Sequence, residues 1–409
     1  MRRNKQHENW NHNDHGRTDS SICRRRGVLR SQRILVPPMS YDKCVRCGAC
    51  VRICPLFTAR EEEQFTPRAK TYLLQVMDLI EDDEEIQREF RRLLFQCTMC
   101  GRCEEVCSSD VDLLKIYHEQ RAKALKSAPE EFEYLNALRK ALANVKNIYG
   151  LDPEDRAVFW MDELIDDIPD IEDRVYEEGK TAEVMVFLGC LMSFRATQMD
   201  VVKSLFKSLE RGGADYMVMG AQEFCCGHPL YLMGDDEGAE ELRRHNKEVI
   251  EKAQAKTVIT CCPGCLIQLK NYHNFEGVEV LHHTQYFDRI LDEPPQLERD
   301  EEFAYHDPCE LHRISNVKRE PRSLMRKIGV KWREMELSCC GGGGLLRMTD
   351  PDLSDKIIEV RKQKEHMEGT TVLTCCPSCR EQFMSAGIRT KDIVEMLDEA
   401  FEEQGRSTE

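Results

Sequence analysis

The sequence predicts a multidomain protein of mixed α/β and α+β class, in which a helical part precedes two copies of an α/β domain. Three observations lead to this prediction. From about residue 183, short apolar runs alternate with helical stretches, which is typical of a parallel sheet. One hexapeptide pattern occurs twice, as TCCPGC at 260–265 and TCCPSC at 374–379. Nearer the N-terminus, the spacing C-x2-C-x2-C-x3-C also occurs twice.

The composition points to metal ligation by cysteine. The chain has 409 residues, 21 cysteines and a net charge of −16. Disulfide-rich domains are small, and these cysteines fall in CxxC and CC clusters, which suit metals better than disulfides. The negative charge argues against nucleic-acid binding. The longest apolar stretch, VMVFLGCLMSF, is too short to cross a bilayer. We therefore expect no direct membrane span and a cytoplasmic location.

The two N-terminal cysteine runs are CVRCGACVRICP at 44–55 and CTMCGRCEEVC at 97–107. Three closely spaced thiolates can wrap one face of a cubane [4Fe–4S] cluster, and the fourth ligand then comes from the other run. Gly48 and Gly101 allow the tight turns around the cluster. By this crossing rule the ligands of the first cubane are Cys44, Cys47, Cys50 and Cys107. The ligands of the second cubane are Cys54, Cys97, Cys100 and Cys103.

Helices are expected around these runs. Thr66 as cap and Pro67 at the first helical position predict a helix between the two runs. The pattern of 111–150 predicts two helices, the second ending at Gly150. The strongly acidic stretch 151–182 predicts a solvated linker. The two runs with their helical insertion resemble the two-cluster ferredoxin domain of succinate dehydrogenase-type iron–sulfur subunits and of the C subunit of heterodisulfide reductase.

The second part of the chain is a duplication. AEVMVFLGC, KTVITCC and TTVLTCC predict buried strands that end on cysteines, where parallel sheets bind ligands. The last four cysteines of the two copies are offset by 114 residues (340 − 226), and the first by 119 (309 − 190). A duplication with one shortened loop explains both offsets. The first set is Cys190, Cys225, Cys226, Cys262 and Cys265. The second set is Cys309, Cys339, Cys340, Cys376 and Cys379.

The pattern C-x(n)-CCG-x(35)-C-x-x-C, present twice, resembles the cysteine-rich CCG domain of the B subunit of heterodisulfide reductase. Its fusion behind a two-cluster ferredoxin resembles the D subunit of heterodisulfide reductase, over about residues 40–400. HDPCELHR at 306–313 and CCGGGG at 339–344 add to the resemblance. The resemblance implies a noncubane [4Fe–4S] cluster in each five-cysteine set, besides the two cubanes. It also implies methanogenesis in an anaerobic archaeon. Cys261 and Cys375 stay outside both sets, and we expect them to pack at strand ends.

We divide the chain accordingly. The predicted segments are a disordered basic tail (1–38, with Cys23 as a spare thiol), the ferredoxin-type domain (39–125), a helical and acidic linker (126–182), CCG domain 1 (183–298), CCG domain 2 (299–400) and a tail (401–409).

The function implied by the resemblance is reduction of the mixed disulfide of coenzyme M and coenzyme B to two thiols. A disulfide needs two electrons, and single-electron cleavage leaves a high-energy thiyl radical. Two clusters flanking the disulfide can each take one sulfur and avoid that radical. Because this substrate is anionic, we expect cations in the cleft. The candidates are His228, Arg195, His312, Arg313 and Arg347. His306 and Asp307 are expected to orient a ligand, and His282–His283 to open a helix.

The resemblance further implies a redox partner, which is either a membrane b-type cytochrome or the flavin-containing A subunit of heterodisulfide reductase. Such a partner can hold the chain on the inner face of the membrane. The alternative function is electron transfer alone, as in iron–sulfur subunits of glycerol-3-phosphate, lactate or glycolate dehydrogenases or of a sulfate-reducer-type membrane complex. Two complete cysteine sets favour disulfide reduction over that alternative.

Overall fold

The structure is a computed structural model that describes residues 40–79, 82–272 and 275–408. The predicted tail at 1–38, with Cys23, lies outside the described residues. No helix in the described part of the chain is long and apolar enough to cross a membrane.

The part of the described chain before residue 184 is built from helices and turns. The helix Pro67–Gln75 begins as predicted, since the Thr66 hydroxyl accepts a hydrogen bond from the Ala69 N–H and Pro67 is the first helical residue. The α-helices are α1 (Ala49–Arg52), α2 (Pro55–Arg60), α3 (Pro67–Gln75), α4 (Glu84–Phe95), α5 (Arg102–Glu105), α6 (Leu113–Ser127), α7 (Glu133–Val145) and α8 (Asp155–Met161).

The predicted end of the second helix of 111–150 is wrong. Helix α7 ends at Val145, and Lys146 takes a left-handed conformation with a φ of 60°. The side-chain oxygen of Asn147 then accepts hydrogen bonds from the N–H groups of Tyr149 and Leu151. This side chain offers the backbone a turn in place of a further helical turn, so the helix stops before Gly150.

The acidic stretch 151–182 is not a solvated linker. Helix α8 lies within it and buries Trp160, and the residues that follow bury Leu164 and Ile171 completely. These apolar residues recur at helix-like spacing and belong to the main hydrophobic core, whereas most of the acidic side chains between them stay exposed. The negative charge of the stretch therefore covers one face of a packed segment.

Each repeat forms a four-stranded parallel sheet, which confirms the predicted α/β class. The strand orders are β2-β1-β3-β4 and β6-β5-β7-β8, so corresponding strands occupy the same places in both sheets. The first repeat contains β1 (Val184–Val186), α9 (Gly189–Phe194), α10 (Met199–Arg211), β2 (Tyr216–Val218), α11 (His228–Met233), α12 (Asp236–Lys252), β3 (Thr257–Thr260), α13 (Pro263–Tyr272), β4 (Glu279–His282) and α14 (His283–Ile290).

The second repeat adds one short π-helix, at Glu310–Ile314. Its other elements are β5 (Glu302–Tyr305), α15 (Glu320–Lys327), β6 (Lys331–Glu334), α16 (Leu346–Thr349), α17 (Pro351–Lys364), β7 (Val372–Thr374), α18 (Pro377–Ser385), β8 (Thr390–Asp392) and α19 (Ile393–Thr408). In each sheet all pairings are parallel, with Val184 opposite both Tyr216 and Thr257 in the first.

The strands are shorter than predicted. Strand β1 ends at Val186, and Cys190 lies in the first turn of α9. Gly189, with a φ of +78°, turns the chain from the strand into this helix. Strands β3 and β7 end one residue before their CC pairs, so those cysteines follow the strands directly. His282 caps α14 through a hydrogen bond from the Thr284 N–H, as expected of a residue that opens a helix.

The helical part packs against both repeats. Leu56 of α2 packs with Leu353 and Ile357 of α17 in a buried apolar cluster. On the other side, the His118 ring of α6 stacks on Tyr231 of α11 with centroids 4.4 Å apart. Contacts of this kind place the predicted ferredoxin cysteines beside the cysteines of the repeats.

Candidate metal centres

Both five-cysteine sets meet at one cavity of about 150 Å³. The cavity lies where the strands of the two sheets end, which is the usual ligand position in parallel α/β sheets. Nine of the ten predicted cysteines line it: Cys190, Cys225, Cys226, Cys262, Cys265, Cys309, Cys340, Cys376 and Cys379. The tenth, Cys339, lies behind the wall against Cys309. Cysteines as distant in sequence as Cys190 and Cys379 thus face the same space.

The first set is assembled from three turns. Cys190 comes from α9, the Cys225–Cys226 pair precedes α11, and Cys262 and Cys265 flank the start of α13. A side chain at Gly189 would lie 2.9 Å from the Cys265 sulfur, so only glycine leaves room for that thiol.

The acidities within this set are unequal. Hydrogen bonds from the Cys225 and Cys265 thiols lower the pKa of Cys226 to about 6. A hydrogen bond with Cys225 and burial together hold the pKa of Cys190 well above its usual value. A hydrogen bond from Cys265 also lowers the pKa of Cys262. A dense group of thiols in which two are readily ionised suits metal ligation.

The second set repeats this chemistry. The sulfur atoms of Cys340 and Cys379 are 3.5 Å apart, and hydrogen bonds from Cys339 and Cys379 hold the pKa of Cys340 well below its usual value. The N–H groups of Gly341 and Gly342 donate to the sulfurs of Cys339 and Cys340, each at 3.4 Å. Backbone N–H groups directed at sulfur are a common feature around iron–sulfur clusters.

A buried histidine contacts the second set. The Nη1 of Arg361 donates to Nδ1 of His306 at 2.9 Å, so Nε2 carries the ring proton. That Nε2 lies 3.3 Å from the Cys379 sulfur and donates to it. His306 therefore contacts a predicted ligand cysteine. Asp307 accepts hydrogen bonds from His312 and Arg322, at 2.6 and 2.7 Å.

The donor set fits iron–sulfur clusters. All cysteines in the described part of the chain are free thiols, and the ten of the two sets are buried except for Cys262, which is half-buried. Soft thiolate ligands at this density select iron–sulfur clusters or zinc, and the number of thiols around one cavity exceeds the four that zinc takes. The residues present can thus hold a cluster in each set.

The thiols of the two N-terminal runs influence one another across the runs. Burial raises the pKa of Cys54 to about 11, and Cys97 and Cys100 of the other run contribute to the rise. The pKa of Cys103 is likewise held high by burial and by Cys100, Cys97 and Cys54. These four thiols form what we call the inner set. The remaining four, which we call the outer set, line a small cavity nearer the surface: Cys44, Cys47, Cys50 and Cys107.

The inner set touches the second repeat. Cys100 lies in buried contact with Cys339 and Cys309. The glycine run after Cys340 permits this approach, because a side chain at Gly344 would lie 2.6 Å from the Cα of Thr98. The corresponding place in the first repeat has the sequence CCGHPL and contains no such run.

Of the five predicted cations, only His228 lines the cavity among the residues described. Its Nε2 lies 2.8 Å from a carboxylate oxygen of Glu310, and Gln268 hydrogen-bonds its Nδ1 at 3.2 Å. The other four have different surroundings: Arg195 pairs with Glu381, His312 with Asp307 and Arg313 with Glu105, and Arg347 is exposed on α16. Apart from Glu310 and Ser378, the rest of the cavity wall is thiol, glycine and apolar side chains.

Cys261 and Cys375 do not line the cavity. Both are buried in the main apolar core, and the Cys375 sulfur lies 3.7 Å from the Tyr305 hydroxyl. This placement agrees with a packing role at the strand ends.

Sequence reasoning missed a buried ion pair beside the first set. Arg156 and Glu223 lie 2.6 Å apart with side chains 2% and 1% exposed, and Arg156 also donates to the Cys190 sulfur at 3.6 Å. Burial raises the pKa of Glu223 to about 7, against the pull of Arg156 and of the N–H groups of Leu188 and Gly189. Arg156 belongs to the acidic stretch whose composition predicts a linker, so its local sequence carries no signal of this role.

Comparison with known proteins agrees with this architecture. A family model described as a cysteine-rich domain matches residues 184–270 and 303–384, and a 4Fe-4S dicluster domain matches residues 40–111. The D subunit of a dihydromethanophenazine:CoB–CoM heterodisulfide reductase from Methanosarcina barkeri is 30% identical over 404 residues, covering 88% of this chain and 94% of that protein.

Two further relatives extend the comparison. The protein of the same name from Methanosarcina mazei is 28% identical over 401 residues, again covering 88% of this chain and 94% of the relative. The B subunit of a fumarate reductase (CoM/CoB) from Methanothermobacter marburgensis is 25% identical over 377 residues, covering 88% of this chain and 72% of that protein. With its cysteine sets around one cavity and these matches along its length, the chain belongs to the family of heterodisulfide reductase D subunits.

Proposed function

We propose that this chain is an iron–sulfur catalytic subunit that reduces the mixed disulfide of coenzyme M and coenzyme B. The observation that carries the proposal is that both five-cysteine sets face one cavity. The overall reaction takes R–S–S–R′, two electrons and two protons to RSH and R′SH. A cluster held by each set would supply electrons singly and an iron atom as Lewis acid for one sulfur.

The polarity of the cavity suits a disulfide group held between the two sets. In the described part of the chain its charged wall residues, His228 and Glu310, are paired with each other, so the wall offers no free cation to the anionic ends of the substrate. Ile148, Leu188, Leu191 and Leu232 contribute apolar wall and exclude water from the reacting bond. The anionic ends must then remain outside the cavity, where water and surface side chains can solvate them.

The contacts between sets suggest a route for electrons. The outer set reaches the surface, since Cys47 is exposed, and a partner can therefore deliver electrons there. The inner set follows, and its Cys100 contacts Cys339 of the second repeat. Electrons would enter the substrate cavity through the second five-cysteine set. The proposed donor at Cys47 is a membrane b-type cytochrome or the flavin-containing A subunit.

The test uses the anaerobically purified protein with four clusters and a reduced viologen as electron donor. We expect reduction of the mixed disulfide to two thiols. Cys226→Ser and Cys340→Ser should each remove the spectroscopic signal of one noncubane site and abolish disulfide reduction, while viologen still reduces the cubanes.

The alternative, electron transfer without disulfide chemistry, predicts a different outcome. In that case the protein with intact clusters does not reduce the disulfide, although it passes electrons to an added acceptor. Retained disulfide reduction in Cys226→Ser, with its cluster gone, would show that two facing sets are not required.

A further inference from the structure

Two buried cations in the helical part have no carboxylate partner among the residues described. Lys70 of α3 is 1% exposed, and its Nζ donates to the carbonyl oxygen of Phe65 at 2.6 Å. Arg121 of α6 is 0% exposed. Buried charges in proteins are normally paired, because removing an ion from water is costly. Other buried arginines of this chain follow the rule, as Arg156 pairs with Glu223 and Arg361 with Glu365.

In the described part of the chain, the hydrogen bonds of Arg121 go to backbone carbonyls, and its guanidinium also lies over the Phe95 ring, 5.1 Å from the centroid. Its guanidinium donates to the carbonyl oxygens of Leu94 and Cys97, each at 2.8 Å, and to that of Leu232, also at 2.8 Å. A weaker bond of 3.3 Å goes to Gly344. These carbonyls come from the helical part and from both repeats. They orient the guanidinium but, like the Phe95 ring, carry no net charge, so no carboxylate among the described residues neutralises the positive charge.

Both cations lie against the inner set. The Phe65 carbonyl that binds the Lys70 ammonium group belongs to a residue that packs in the same buried cluster as Cys54. In agreement with this placement, Lys70 lowers the pKa of the Cys54 thiol against the larger effect of burial. Burial lowers the pKa of Arg121 to about 10, and Cys97 is the first group that opposes the decrease. Cys54 and Cys97 are both predicted ligands of the inner cubane.

Among the described residues, the outer set has no fully buried cation of this kind. Arg68 approaches Gly48, but its guanidinium is ion-paired with Glu63 at 2.5 Å and is about one-third exposed. Arg46 is exposed and bonded to Gln75. Solvent screens such charges, whereas a buried charge is screened much less.

We propose that Lys70 and Arg121 are the buried counter-charges of the inner cubane and hold its reduction potential above that of the outer cubane. A cluster with four thiolate ligands is anionic, and each electron it accepts adds negative charge. Buried cations stabilise the reduced state more than the oxidised state, which raises the potential. Electrons that arrive at the outer set are then drawn inwards to the second repeat. The proposal rests on the crossed ligand sets and does not depend on which substrate is reduced.

The experiment is a redox titration of the anaerobic full-length protein, followed by EPR. A Cys47→Ser variant, which removes a ligand of the outer set, assigns the two cubane signals. Lys70→Gln should lower the reduced-to-oxidised ratio of the inner cubane about tenfold at a fixed applied potential, equivalent to about 59 mV for one electron. Arg121→Gln should act in the same direction. Lys70→Arg, which keeps the charge, should restore the ratio.

Arg243→Gln serves as the matched control. Arg243 is also buried, but it pairs with Glu240 and is not in contact with the ferredoxin cysteines in the part of the chain described. We expect no change of either cubane in this variant. The proposal is overturned if Lys70→Gln leaves the inner potential unchanged with its signal intact, or if both cubanes shift equally. Because Lys70 makes a single hydrogen bond, its variants remain informative even if Arg121 variants do not fold.

Discussion

The glycine run that follows Cys340 lies close to the ferredoxin cysteines, and one methyl group added at Gly344 should disturb this contact. Gly344 has a φ of +66°, and an added Cβ would lie 2.6 Å from the Cα of Thr98 and closer still to the Cys97 carbonyl oxygen. Ordinary contacts begin near 3.4 Å, so Gly344→Ala must separate the two backbones by at least about 0.8 Å (3.4 − 2.6). The obstruction is backbone on both sides, which leaves no side chain to move aside.

Gly344→Ala should lower the free energy of unfolding through two separate costs. The same substitution at a second glycine measures one of these costs by itself. A left-handed alanine costs about 1–2 kcal/mol wherever it occurs. Overpacking adds about 1–3 kcal/mol. Gly387 has a φ of +73° and nothing within 4 Å of its ideal Cβ, so Gly387→Ala carries the first cost only. Gly344→Ala should therefore be less stable than Gly387→Ala by about 1–3 kcal/mol.

The functional assay follows electrons through the displaced contact. The outer cubane is reduced rapidly, and freeze-quenched EPR then reports the reduction of the second five-cysteine set. We expect slower transfer in Gly344→Ala, because the Cys97 loop also carries Cys100, which touches Cys339. Transfer in Gly387→Ala should match the parent. If the two variants are equal both in denaturant midpoint and in transfer rate, the glycine run has no role in bringing the clusters together.

Three further predictions concern single side chains. Glu223→Gln leaves Arg156 as an unpaired buried charge, and should lower the free energy of unfolding by about 3–5 kcal/mol in anaerobic denaturant titrations. Trp160→Ala should cost about 3–5 kcal/mol in the same titration, whereas a solvated linker would tolerate the change within about 0.5 kcal/mol. Cys376→Ala should lower the iron content of the protein, while the neighbouring Cys375→Ala should retain it; equal losses would contradict the ligand assignment.

Local chemistry in the sequence predicted much of the fold. The cap of α3 needs only Thr66 and Pro67, and both act within one helical turn. The duplication predicted two like sheets, because equal spacing between cysteines implies equal elements between them. The predicted end of α7 is wrong because glycine is a strong general signal for the end of a helix, and Gly150 was the nearest one. Asn147 stops the helix earlier, through hydrogen bonds that are specific to its own turn.

Contacts between distant segments were not predictable in this way. Arg121 and Gly344 are 223 residues apart, and nothing in either local pattern indicates that they meet. The same holds for Arg156 and Glu223, whose pairing depends on how α8 lies against the first repeat. An anionic substrate predicts cations close to the cysteines, yet four of the five candidates that are close in sequence are ion-paired outside the cavity or exposed. Proximity along the chain says little about which face of a turn a side chain occupies.

The duplicated site is not symmetric, because one side of the cavity has polar residues where the other side has glycine and leucine. By the offset of 114, His228 corresponds to Gly342, and by the offset of 119, Glu310 corresponds to Leu191. All four line the cavity, but only His228 and Glu310 form a polar pair, which joins the two repeats on one side. The opposite side has glycine and leucine in these places, and its glycine run is the segment that approaches the backbone of the Cys97 loop.

This asymmetry bears on a substrate with two different halves. Under the proposed function, one sulfur of the disulfide meets the set that receives electrons directly, and the other meets the set that receives them only through the cavity. A wall that is polar on one side and apolar on the other distinguishes the two orientations of such a substrate by which half it desolvates. Two identical sites would bind a mixed disulfide in both directions equally. Under the proposed function, the divergence of His228 and Glu310 from their counterparts therefore gives the duplicated scaffold a means to bind an unsymmetrical disulfide in one orientation.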